Sequence, residues 1–156
     1  MKKLDNTLII GIGNNTRQDD GLGWSFLDIL EKEGFNINHL VCKYQLMVED
    51  AELISEYKTV IFVDACKTSL NEGFEIERIF PSEQVAFSTH EVPPNQILNL
   101  SEHIYNSKPK AYIIKIQGYE WNIAIGLTDQ AKVNKKKAAV NFINSHHLFK
   151  TEVIAR

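Results

Sequence analysis

Cysteine is scarce in this chain: only Cys42 and Cys66 occur in 156 residues, and they form no C-x-x-C pair. That spacing sets aside zinc-finger and thioredoxin chemistry, and each cysteine reads as a reduced thiol acting as a small hydrophobe in or beside a core strand. An excess of positive charge is also missing. With a net charge of −3 and a pI near 5.9, the chain carries no electrostatic footprint for nucleic acid or an anionic membrane surface. No apolar run approaches the roughly 20 residues needed to span a bilayer. Met1-Lys2-Lys3-Leu4-Asp5 leads into a strand pattern rather than a signal-peptide core, so a cytoplasmic location is expected. Repeats, linkers and low-complexity tracts are absent too, and a 44% hydrophobic chain of this length is expected to form one domain over residues 1–156.

What is present is an alternation of two periods. Strand-like runs fall at Thr7–Ile12, His39–Tyr44, Thr59–Ala65, Phe74–Phe80 and Ala111–Gln117. Helix-like patterns fall at Gly21–Glu33, Met47–Tyr57, Asn95–Asn106 and Thr128–Ser145. This predicts a three-layer α/β sandwich, a twisted and mostly parallel mixed sheet flanked by helices. The segment Lys67–Gly73 is too short for a crossover helix, so Phe74–Phe80 is expected to return antiparallel to the strand before it. Lys132, Lys135, Lys136 and Lys137 lie on the last helix, whose Val133, Ala138, Val140 and Phe142 are expected to face the core; the lysines then form a solvated face, with a docking patch for an acidic partner as the less favoured reading.

Chemistry concentrates in the turn after the first strand, Gly11-Ile12-Gly13-Asn14-Asn15-Thr16-Arg17-Gln18-Asp19-Asp20-Gly21-Leu22-Gly23. It opens like the dinucleotide fingerprint G-x-G-x-x-G, but Thr16 stands where the third glycine belongs, and two carboxylates would meet an anionic pyrophosphate. One acid suffices to cap the following helix, so the second wants another explanation, and the segment taken alone leaves capping and function both open. The third strand ends in Val63-Asp64-Ala65, where a carboxylate interrupts an apolar run and is costly to bury unless paired, hydrogen-bonded or metal-bound. If the first and third strands are neighbours, their carboxyl ends flank the crevice where doubly wound sheets bind ligands. His90, held before Pro93 and Pro94 in an irregular loop, completes a set of two carboxylates and one imidazole suited to a divalent metal. His39, His103, His146 and His147 have no such setting and read as structural or exposed. Asn14 reads slightly better as a turn residue tolerant of left-handed geometry than as an orienter of the acids. Glu120 and Trp121 read equally as groove-lining or as an exposed loop. Phe35, Ile37, Leu40 and Met47 are candidates for a docking surface, with core packing favoured for most.

At these residues the chain resembles the hydrogenase maturation proteases, which trim the C-terminus of nickel–iron hydrogenase large subunits. The resemblance rests on Gly11-Ile12-Gly13-Asn14 with Asp19-Asp20-Gly21-Leu22-Gly23, on Val63-Asp64-Ala65, on His90, and on Gly118-Tyr119-Glu120 with Gly126-Leu127-Thr128. It implies an α/β sandwich around a twisted mixed sheet. It also implies that Asp20, Asp64 and His90 are the catalytic and metal-contacting residues. The nickel is then carried by the precursor rather than held permanently by this chain, and the partner is that large-subunit precursor. A monomer is expected. Where some members carry Glu at the position of Asp20, only reach differs. Tyr44-Gln45-Leu46-Met47-Val48-Glu49-Asp50-Ala51-Glu52-Leu53 replaces a glycine-rich segment of many members and is closer to a Q-L-x-P-E-L-A pattern, disturbed at Val48 and Glu49. Three other readings stay open: a flavodoxin-like binding module, a nickel chaperone, for which clustered His or Cys is lacking, and an unrelated metallohydrolase with a stable metal.

Overall fold

The computed structural model describes the backbone of residues 6–83 and 92–154, with side chains through residue 146. Five strands form one sheet: β1 (Thr7–Ile12), β2 (Leu40–Lys43), β3 (Thr59–Cys66), β4 (Phe74–Ile79) and β5 (Lys110–Gln117). Their spatial order is β2-β1-β3-β5-β4, parallel except for β4. The helices are α1 (Leu22–Lys32), α2 (Asp50–Ser55), α3 (Pro94–Tyr105) and α4 (Asp129–Ile154).

Side-chain alternation along the central strands divides the interior into two cores. Ile9, Ile61, Val63 and Ile114 point to the face covered by Phe26 and Leu30 of α1 and by Ala138 and Phe142 of α4. Leu8, Ile10, Val60 and Phe62 point to the opposite face, covered by Ala51 and Ile54 of α2 and Ile97 and Leu98 of α3. Strands apolar on both faces are what a parallel sheet sandwiched between helices requires, and each large side chain so buried contributes about 1.5–3 kcal/mol.

The expected strands all form, and three details differ. β4 runs antiparallel as expected, but β5 is inserted between it and β3. The physical reason lies in composition: β5 is mostly buried, whereas β4 carries Glu75, Glu77 and Arg78 and takes the edge. α2 starts at Asp50 rather than Met47, because the Asp50 carboxylate accepts the Met47 amide at 2.8 Å and pairs with Lys43 at 3.2 Å, holding a turn ahead of the helix. On α4 the buried stripe is Ala131, Asn134, Ala138 and Phe142, spaced by three or four residues. Val133 and Val140 therefore lie exposed, against expectation. Of the lysines there, Lys132 is exposed beside Asp129, while Lys135 reaches across to Ser25 Oγ at 2.7 Å. Phe35 is buried and Leu40 packs against the core, but Ile37 and Met47 are exposed.

Candidate active site

The chain leaves β1 for β2 on one side of it and leaves β3 for β4 and β5 on the other, so the topological switch point lies between the carboxyl ends of β1 and β3. The acidic turn closes over this point. Asn14 N–H donates to Asp20 O at 3.0 Å, Arg17 N–H to Asn14 O at 3.1 Å, and a 3-10 turn over Gln18–Gly21 hands the chain to α1. Gly13 sits at φ +142°, and a Cβ there would collide with the Asp20 carbonyl. At Gly23 a Cβ would lie 2.6 Å from both the Ile12 and Val63 carbonyl oxygens, so only glycine lets α1 approach β1 and β3 this closely. The glycines in this motif thus serve close backbone contact around the acids. Asn14 accepts from Thr16 N at 2.9 Å and Thr16 Oγ1 at 2.6 Å, an Asx turn; its φ is not positive, so the left-handed reading does not hold.

The two acids have separate tasks, and neither caps α1, whose N-cap Gly21 has no side-chain bond. Asp19 is fully buried. Its carboxylate accepts the Tyr119 amide at 2.7 Å, the Glu120 amide at 3.1 Å, the Thr128 amide at 2.8 Å and the Thr128 hydroxyl at 2.8 Å. It thereby ties the β1–α1 turn to the β5–α4 loop. Gly118 makes room for it, since a Cβ there would lie 2.8 Å from Asp19 Cβ.

Asp20 faces outward. With Arg17, Asp64, Ala65, Cys66, Lys67 and Trp121 it lines a cavity of about 300 Å³. Asp20 and Asp64, assigned from separate segments, are therefore brought to one cavity. Burial pushes the Asp20 carboxyl up, against the opposing pull of the Arg17 guanidinium, the Asn14 amide and the Lys67 ammonium. Arg17 Nη2 also donates to Trp121 O at 3.4 Å, and Lys67 Nζ lies 5.5 Å from the centre of the Trp121 ring. His90, the third assigned residue, lies outside the described residues. Among the described residues no group of three or more His, Cys, Asp or Glu is placed to hold a metal ion. The two carboxylates are hard anionic donors suited to a cation presented from outside.

Several partners were not read from the sequence. Arg17 and Lys67 stand beside the two acids in the chain, a signal that was available. Trp121 lines the cavity, whereas Glu120 is occupied with Gln18 Nε2 at 3.0 Å. Neither cysteine is a core residue: Cys42 is exposed, and half-buried Cys66 lines the cavity with its thiol toward Thr68 O at 3.6 Å. Burial raises both thiols above the ordinary value of 9.0. His39, His103 and His146 each place Nδ1 on a backbone carbonyl, a structural use as expected.

A mostly parallel sheet between helices, with two carboxylates converging on a cavity at its switch point, defines an α/β sandwich protein of the doubly wound kind. No protein-family profile matches the sequence, and no curated protein matches it significantly. Solved structures do match. The [NiFe] hydrogenase maturation protease HybD from Thermococcus kodakarensis superposes with a TM-score of 0.65 at 17% identity, over 88% of this chain and 97% of that one. The hydrogenase maturating endopeptidase HybD from E. coli gives 0.67 at 19% identity over 89% and 90%. The endopeptidase HycI from E. coli gives 0.65 at 19% identity over 90% and 90%. The chain has the fold of the hydrogenase maturation proteases, and the resemblance read in its motifs is borne out at that level.

Proposed function

We propose that this protein is a hydrogenase maturation endopeptidase, removing the C-terminal peptide from the nickel-loaded large-subunit precursor of a nickel–iron hydrogenase. The observation that carries the reading is the convergence of Asp20 and Asp64 on one cavity at the switch point of this fold. Asp20 and Asp64, with His90 as the third contact by resemblance, hold the nickel-bearing end of the precursor. The nickel arrives as part of the substrate. Hydrolysis then adds water to the scissile carbonyl, breaks the C–N bond and passes a proton to the leaving amine. A carboxylate of raised pKa such as Asp20 is suited to accept the proton from water. Arg17 and Lys67 keep that carboxylate ionised in a partly buried wall. The protein acts as a monomer in the cytoplasm.

The test is the intact mass of the nickel-loaded precursor after incubation with this protein. Loss of one C-terminal peptide, only with nickel present and only with wild type rather than Asp20→Asn or His90→Ala, is the expected result. An uncut precursor would end the protease reading.

A further inference from the structure

The β5–α4 loop holds two large apolar side chains in solvent on a rigid backbone. Ile123 and Ile125 are 85% and 89% exposed. Their loop is nonetheless pinned: Ala124 N–H donates to Thr16 O at 3.0 Å, Gln18 N–H to Ala124 O at 2.9 Å, and Asn122 N–H to Gln18 Oε1 at 2.9 Å. The Asp19 clamp fastens the loop on both sides of these residues, at Tyr119 and at Thr128. Such exposure on a fixed frame is preorganised for contact, since little ordering remains to be done on binding.

The acidic turn places this loop next to the reaction cavity. Arg17 and Asp20 line that cavity, while Asn15, Gln18 and Gly21 of the same turn line a second cavity of about 310 Å³, closed by Trp24, Ile125 and Leu127. Trp24 extends the apolar surface toward the β2–α2 loop, its ring packed at a tilt against Tyr44 with centroids 5.0 Å apart and its indole N–H on Lys43 O at 3.0 Å. Tyr44 is itself largely exposed.

We infer that Ile123, Ile125 and the Trp24 cavity between the two loops form the docking surface for the folded body of the large-subunit precursor. This rests on the protease reading above. The occupant follows from continuity: one turn walls both cavities, so the molecule whose peptide occupies the acid cavity lies against the second. The precursor therefore presents an apolar patch beside its C-terminal extension, against Ile123 and Ile125.

The experiment measures binding and cleavage separately on immobilised and free nickel-loaded precursor. It compares wild type, Ile123→Ser/Ile125→Ser, and Ile104→Ser, which alters an exposed isoleucine on α3. The double variant is expected to bind about tenfold or more weakly and to show a raised KM with kcat within about twofold of wild type. Ile104→Ser should match wild type, and melting curves of all three should coincide. Unchanged binding by the double variant would overturn the docking surface while cleavage still upheld the protease reading. Isoleucine-dependent binding without cleavage would support the docking surface and sink the protease reading. A wild type that fails to bind precursor, or a wild-type dimer that the double variant dissolves, would overturn the proposal.

Discussion

The carboxylate of Asp19 accepts both the amide and the hydroxyl of Thr128, each at 2.8 Å, across 109 residues of sequence. Thr128 Oγ1 in turn receives the Ala131 amide at 3.3 Å in the first turn of α4. One buried acid thus joins the start of α4 to the turn that carries Asp20. Its neighbour in sequence is left at the cavity wall.

Asp19→Ala should therefore cost stability before anything else. Three backbone amides and one hydroxyl would lose their acceptor, a loss of about 3 kcal/mol or more. Urea denaturation should show the midpoint falling at unchanged m-value, and any remaining activity should fall in proportion to folded protein.

Asp20→Asn should do the opposite. Its folded carboxyl is raised above the ordinary 3.8 because burial opposes the charge. The folded state therefore binds the proton more tightly than the unfolded chain, and stability declines as pH rises from 3.8 through the folded value. At neutral pH the ionised form is a cost that asparagine removes. Calorimetry should find the Tm of the variant at or above wild type at pH 7, with the difference closing below pH 3.8, while precursor cleavage is lost.

The same shift sets the acid limb of activity. If ionised Asp20 is required, kcat/KM for precursor should fall with decreasing pH around a midpoint above 3.8. Neutralising Arg17, which opposes the shift, should move that midpoint higher. A limb unmoved in Arg17→Gln would separate it from Asp20.

Cys66 lines the cavity, but its thiol is held above 9.0 mainly by burial, so at neutral pH it is protonated. Cys66→Ser should keep cleavage within about twofold of wild type. Loss of all activity would show a thiolate at work beside Asp64.

Gly23→Ala tests the close approach of α1 to the sheet. Its methyl would meet two strand carbonyls at 2.6 Å, neither able to yield, so the helix must move. A cost of about 1–3 kcal/mol is expected from chemical denaturation, together with reduced cleavage, because the acidic turn precedes the displaced helix.

Local periodicity and turn chemistry carried much of this protein. The runs Thr7–Ile12 and Thr59–Cys66 announce buried parallel strands through their unbroken apolar composition. An acid ending such a run, as Asp64 does, is legible as a site because its burial needs a reason. The acidic turn was likewise legible, since two carboxylates flanked by four glycines, from the end of a strand to the start of a helix, have few structural explanations. All of these signals lie within a few residues of one another.

Tertiary structure alone decided which acid was structural and which was free. Asp19 and Asp20 are chemically identical neighbours, and only the arrival of Tyr119, Glu120 and Thr128, about 100 positions away, buries one carboxylate and leaves the other at the cavity. The insertion of β5 between β3 and β4 is of the same kind, as is the meeting of Trp121 with Arg17 and Lys67. Pairings across such separations arise from the closing of the whole sheet and its two cores. No periodicity within a single segment encodes them.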